Sequence, residues 1–201
     1  MDLLASSETL YSLQTKEEYS NFSITDTTID GQDVKKVAFD KVVFNNVTIM
    51  ESILQETELT DVLFDKCDLS NVDLSGSFLH RVEFKNCKLI GTDFTKSRFQ
   101  NVSFQACVSD YSLYRFSTFK QVAFDHCSLI NADFYHTTVK KLALSTCNID
   151  QALFSGTKLN GIDLSSCEFE GLHVELEDLP GCIISPQQAT SFVGLLGLKI
   201  K

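Results

Sequence analysis

The sequence is short of several residues that most folded domains use. It contains two prolines and no tryptophan among 201 residues. No apolar run approaches the roughly 18 residues of a membrane-spanning helix. The stretch Met1–Glu8 lacks the basic and apolar regions of a secretory signal. We therefore expect a cytoplasmic protein without a membrane partner.

Positive charge is also scarce. The chain has 17 Lys and Arg residues against 27 Asp and Glu residues, a formal net charge of −10. Proteins that bind nucleic acid through its phosphates carry a basic face, so this balance predicts no direct nucleic-acid partner. The sequence also has no glycine-rich phosphate loop, no GxSxG motif and no HExxH motif. We expect no enzyme activity, no catalytic residue and no bound metal or cofactor.

The dominant feature is an apolar residue at every fifth position. From Tyr19 to Ile184, 33 of 34 positions in this series are apolar, where the 43% apolar composition would give about 15 by chance. Ser109 is the exception. A second column, two residues earlier in each pentad, holds small or β-branched residues such as Val42 and Cys87. A five-residue period fits neither a helix nor a single strand, so the chain must turn after each pentad.

A second period of twenty residues appears in the cysteines and in the turns. Six cysteines are spaced by twenty: Cys67, Cys87, Cys107, Cys127, Cys147 and Cys167. Turn-forming residues share one corner at multiples of twenty: Gly31, Asn71, Gly91, Asn131 and Gly171. Four pentads therefore close a four-sided coil, and about eight coils stack at the strand spacing of about 4.8 Å. Cysteine packs as a small hydrophobe, so we interpret this column as core.

The repeated pattern small–Asp/Asn–Leu/Phe–x–x resembles the pentapeptide-repeat family. Val72-Asp73-Leu74, Thr92-Asp93-Phe94 and Ala132-Asp133-Phe134 match the motif well. The resemblance implies an all-β fold, a right-handed quadrilateral β-helix, over residues 19–184. Residues 1–18 would form an N-terminal cap.

The C-terminal residues 185–201 depart from the pentad pattern. Ser185-Pro186-Gln187-Gln188 has the features of a helix N-terminus, with a capping box closed by glutamine. A short helix is expected from about Pro186 to Leu196, ending at Gly197. Its apolar residues either cover the last coil or pair with a second copy, and we favour a homodimer. The expected dimer interface consists of Phe192, Val193, Leu195, Leu196 and Leu198.

A cluster of acids without Lys or Arg precedes this segment: Glu168, Glu170, Glu175, Glu177 and Asp178. Such a cluster is either a solvated surface or a docking patch for a basic partner, and we take its five residues as the candidate partner-binding site.

Several short segments resemble chromosomal quinolone-resistance proteins of Gram-positive bacteria. They are Ser75–Phe78, Ser109–Ser112, Arg115-Phe116, Lys140–Leu142, Gln188-Ala189 and Leu196–Leu198. This resemblance implies a DNA-mimicking protein that binds DNA gyrase or topoisomerase IV and modulates quinolone sensitivity. The alternative is a protein-interaction scaffold with an unrelated partner.

Overall fold

The computed structural model describes residues 6–7 and 12–199. Parts of the expected N-terminal cap, residues 1–5 and 8–11, lie outside this range, as do residues 200–201 of the C-terminal segment. The strands are β1 (Ser6–Ser7), β2 (Glu18–Ser20), β3 (Phe22–Thr25), β4 (Asp33–Lys35), β5 (Ala38–Asp40), β6 (Val43–Asn45), β7 (Ile53–Gln55), β8 (Glu58–Thr60), β9 (Leu63–Asp65), β10 (Phe78–Lys85), β11 (Arg98–Gln105), β12 (Thr118–Asp125) and β13 (Thr138–Ser145). Two 3-10 helices follow, Leu176–Asp178 and Gln188–Leu196.

Between residues 18 and 145, every strand pair that the structure describes is parallel. Paired residues lie twenty positions apart in the sequence, except at one irregularity in β13. Isolated bridges extend the same spacing along one side, through Thr28, Thr48, Asp68, Lys88, Val108, Ser128, Asn148 and Glu168. Each bridge adds one coil, so eight coils are stacked along this side. The chain is a parallel β-solenoid with twenty residues per coil, which confirms the expected fold class.

Inward side chains form columns that run the length of the rod. On one side Phe44, Phe64, Phe84, Phe104 and Phe124 stack with ring centroids 4.4–4.9 Å apart and nearly parallel planes. The six cysteines of the twenty-residue series are buried and free, as the sequence predicted. Each thiol faces the carbonyl oxygen of the residue 23 positions earlier, as Cys87 faces Phe64 at 3.4 Å. Burial raises the pKa of the Cys167 thiol to about 11, so this thiol stays protonated at neutral pH.

The corners between sides are left-handed at many residues besides glycine and asparagine. Gly31, Asn71, Gly91 and Asn131 have positive φ as predicted, whereas Gly171 does not. Bulky corner residues such as Phe116, with φ of 57°, adopt the same conformation. This conformation costs an L-residue roughly 1 kcal/mol or more. The corner N–H compensates by donating to the next coil, as Phe116 N donates to the Tyr135 carbonyl oxygen at 2.9 Å.

Ser109, the exception to the apolar series, is fully buried and belongs to a polar cluster. Its Oγ lies 2.8 Å from the Tyr114 hydroxyl and 2.9 Å from Ser112 Oγ. Ser112 Oγ in turn donates to the carbonyl oxygen of Leu89. If Tyr114 donates to Ser109 and Ser109 to Ser112, every hydroxyl has a partner. Ser109 therefore occupies a position that is apolar in the other coils because the neighbouring inward position carries a tyrosine hydroxyl that needs an acceptor.

We predict strong energetic coupling between Ser109 and Tyr114. Ser109→Ala and Tyr114→Phe each leave a buried hydroxyl short of a partner and should each cost about 1–2 kcal/mol of unfolding free energy. The double variant should cost clearly less than their sum, because the same bond is removed twice. Denaturant unfolding of the four proteins measures this. Ser77→Ala combined with Tyr114→Phe is the control and should be additive, since Ser77 accepts from Thr57 N instead. If the effects of Ser109→Ala and Tyr114→Phe on the unfolding free energy were additive, the hydrogen bond between the two side chains would be contradicted.

The C-terminal segment folds as a 3-10 helix, Gln188–Leu196, which begins two residues later than predicted and ends at Gly197 in the left-handed conformation. Half of the expected capping box is present, since Ser185 N donates to Gln188 Oε1 at 2.8 Å. The Gln188 amide also donates to the carbonyl oxygens of Leu164 and Cys167. This glutamine is buried and fastens the segment to the last coil.

Candidate functional site

The structure divides the predicted acidic cluster into two exposed pairs and one buried residue. Glu168 and Glu170 are exposed and line a shallow cleft with Asp150, beside the start of the C-terminal helix. The Asp150 carboxylate accepts from Gly171 N at 3.0 Å and Glu170 N at 2.8 Å. These two bonds lower the pKa of Asp150. Asp150 therefore stays ionised, so it contributes a third negative charge beside Glu168 and Glu170.

Glu175 and Glu177 form the second exposed pair, on either side of Leu176. The leucine side chain is 52% exposed. This pair lies on the part of the coil where the 3-10 helix Leu176–Asp178 interrupts the regular pentads. An apolar side chain between two carboxylates suits a protein contact, but it faces a different side of the rod from Glu168.

Asp178, the fifth residue of the cluster, is not on the surface. Its side chain is 0% exposed, and its carboxylate lies 2.9 Å from Lys158 Nζ. The second oxygen accepts from Gly156 N at 2.7 Å. The pentad phase predicted an outward side chain, but the 3-10 helix turns it inward. Asp178 thus holds this irregular corner together and offers no carboxylate to a partner.

We predict that Asp178 and Glu177 differ in their effect on stability. Asp178→Ala leaves the Gly156 N–H without an acceptor and should cost about 1–3 kcal/mol of unfolding free energy. Glu177→Ala, one residue away and exposed, should change it by less than about 0.5 kcal/mol. Chemical denaturation of both variants measures the difference. Equal effects would place Asp178 on the surface after all.

Acidic side chains are concentrated on the side of the rod that carries Glu168 and Glu170. We call this side the acidic face and define it as residues 28–31, 48–51, 68–71, 88–91, 108–111, 128–131, 148–151 and 168–171. It holds seven acids, Asp30, Glu51, Asp68, Asp110, Asp150, Glu168 and Glu170, against one base, Lys88. The twenty-residue register therefore sorts charge by side, a pattern that the net charge does not reveal.

The C-terminal segment partly buries two of the predicted interface residues and exposes the others. The Phe192 ring packs against Phe169 of the last coil, with ring centroids 5.9 Å apart, and Val193 is half-buried. Leu195, Leu196 and Leu198 are 39%, 59% and 60% exposed. The segment covers the end of the core with Phe192 and presents an apolar surface outward.

Within the described residues, no group of three or more His, Cys, Asp and Glu side chains could hold a metal ion. Neither helix of that part of the chain has the length and the apolar run that a membrane span requires.

Family models match most of the solenoid. The pentapeptide repeat region matches residues 77–154 and 117–185, and the model of eight pentapeptide repeats matches residues 43–81. The chain belongs to the pentapeptide repeat family. No curated protein matches it at a significant level.

Solved structures of pentapeptide repeat proteins share the fold. A trypsin-treated variant of QnrB1, a plasmid-mediated fluoroquinolone resistance protein, is 17% identical, with a TM-score of 0.59 over 89% of this chain and 99% of that one. HetL, involved in heterocyst differentiation regulation in the cyanobacterium Nostoc, is 14% identical, with a TM-score of 0.48 over 87% of this chain and 91% of its own. At this identity the QnrB1 likeness establishes the fold alone.

Proposed function

We propose that the protein is a non-catalytic DNA mimic that binds a type II topoisomerase, DNA gyrase or topoisomerase IV, and modulates quinolone sensitivity. The observation that carries the proposal is the segregation of acids onto one face of a continuous rod. Support also comes from the fold shared with QnrB1, described as a fluoroquinolone resistance protein.

The acidic face carries its negative charge at a little over half the linear density of one DNA strand. On this face, seven acids and one base lie along the eight coils between residues 28 and 171. At about 4.8 Å per coil these coils extend over about 34 Å, so the face carries about one net charge per 6 Å. One DNA strand carries one per about 3.4 Å. The acids Glu168 and Glu170, with Asp150 beside them, form the densest part, and there we place the partner contact.

The experiment is a binding titration with purified DNA gyrase, accompanied by supercoiling assays with and without ciprofloxacin. The test variant changes Glu168, Glu170, Glu175 and Glu177 to glutamine and leaves Asp178 in place. We expect at least tenfold weaker binding, because the exposed carboxylates of the cluster are lost while the core is untouched. The matched control changes Glu17, Glu18, Glu58 and Glu83 to glutamine, four exposed glutamates elsewhere.

Equal loss in both variants would show that overall charge, and not the acidic end, determines binding. Failure of the wild-type protein to bind gyrase or topoisomerase IV at tens of micromolar would refute the proposal. That result would favour the alternative function, a scaffold for an unrelated protein partner.

Dimerisation through the C-terminal segment is the second part of the proposal. Leu196 and Leu198 are both exposed in the C-terminal segment, and a second copy would bury them and bring two acidic ends together. Leu196→Glu with Leu198→Glu should convert a dimer to a monomer in sedimentation velocity. Leu176→Glu, at a leucine of similar exposure on the side of the rod, should leave the dimer intact. A monomeric wild-type protein at 100 µM would exclude this interface.

A further inference from the structure

Basic side chains are concentrated on five coils of another side of the rod, two sides along the chain from the acidic face and therefore opposite to it. We call this side the basic face and define it as residues 76–81, 96–101, 116–121, 136–141 and 156–161. It carries seven bases and no acid: Arg81, Lys96, Arg98, Lys120, Lys140, Lys141 and Lys158. In a chain with 27 acids and 17 bases, this is a strong local reversal of charge.

Most of these cations have no carboxylate partner. Arg81 pairs with Asp61 of the preceding coil, and Lys158 pairs with the buried Asp178. The remaining five, Lys96, Arg98, Lys120, Lys140 and Lys141, form no ion pair within the described part of the chain and are exposed. Their charge is available to an external anion.

Two of the cations face each other on adjacent strands. The strand pairing of β12 and β13 follows the twenty-residue register, except for an irregularity that sets Lys120 opposite Lys141. Like charges directly opposite on neighbouring strands destabilise a sheet. Lys140 is adjacent to Lys141 in β13, so three lysines meet on these two strands, at a cost that a bound anion would relieve.

The size of the face suits a run of several phosphates. Its cations extend over the four coil steps from Arg81 to Lys158, about 19 Å at the spacing of strands. The acids of the opposite face lie across a core about 10 Å thick, with the side chains adding to the distance. At 0.1 M salt their field is screened within about 10 Å, so it does not cancel the field above the basic face.

Aromatic rings lie along the edge of the same face. The Phe116 side chain is 51% exposed and stacks on His136, with ring centroids 6.0 Å apart and an interplanar angle of 7°. Phe78, 37% exposed, is the neighbour of Arg98 on the adjacent strand. Exposed rings beside cations are the features with which proteins hold unpaired bases and the phosphates that join them.

We propose that the basic face binds the phosphate backbone of a nucleic acid, and that it does so independently of the acidic face and its protein partner. This proposal departs from the expectation of no direct nucleic acid, which rested on net charge. The phosphates lie over Arg98, Lys120, Lys140 and Lys141. Because the contacts are to the backbone, binding has little sequence preference and is weak, with a Kd of about 1–100 µM at physiological salt.

The test is fluorescence anisotropy with a labelled 20-base-pair duplex and, separately, one of its strands, at several salt concentrations. Binding to the wild-type protein should weaken with salt with a log–log slope of about −3 to −4, as expected for about four phosphate contacts. Lys140→Gln with Lys141→Gln should weaken it at least tenfold. The matched control, Lys66→Gln with Lys88→Gln, removes the same charge from two exposed lysines that lie off the basic face and should change it less than twofold.

The other possible results of this experiment either support the proposal or overturn it. Stacking would make the single strand bind more tightly than the duplex, and phosphate contacts alone would make them equal; both support the proposal. No binding at 100 µM protein in 50 mM salt, or equal loss in the two lysine variants, overturns it. Polyglutamate that binds as tightly as DNA also overturns it, since the face would then suit an acidic protein. If Lys140 and Lys141 prove necessary for folding by circular dichroism, Arg98→Gln with Lys120→Gln replaces that variant, with the same expected loss.

Discussion

The hydrogen bonds between successive coils are the interaction on which the rest of this structure depends. Each coil donates backbone N–H groups to its neighbours, as Leu89 N donates to Val108 O and Val108 N to Cys87 O. Because these bonds are parallel and in register, they stack identical positions of the repeat. The phenylalanine columns, the thiol column and the charged faces are all consequences of that register. The same bonds hold bulky corner residues in a left-handed conformation that they would otherwise avoid.

Most of the core is predictable because two periods overlap in the sequence. The five-residue period identifies the inward positions, and the cysteines identify the coil length. Ser109 stands out as an exception to the apolar series. A serine occurs there because the side chain of Tyr114, five residues away, also points inward and its hydroxyl needs a partner. Asp178 cannot be placed from the sequence. The pentad phase directs it outward, and only the 3-10 helix Leu176–Asp178, stabilised by contacts with Lys158 and Gly156 in the preceding coil, turns it into the protein.

The surface illustrates a different limit of sequence reasoning. A net charge of −10 describes an average over four sides, and long solenoid sides are far enough apart for screening to separate them. Sorting the outward residues by their position within the twenty-residue coil is enough to reveal both the acidic and the basic face from the amino-acid sequence. The irregular pairing of Lys120 with Lys141 does not emerge from such sorting, because it is a local departure from the twenty-residue register.

The two periods have unequal consequences for how such a rod can change its length. An insertion of five residues would keep every inward position apolar, and the core would accept it. It would also rotate all later coils by one side, so that the two halves of each charged face would no longer be aligned. An insertion of twenty residues would lengthen both faces by one row and keep them continuous. The core thus tolerates growth by single pentads, whereas a surface that binds along its length permits growth only by whole coils.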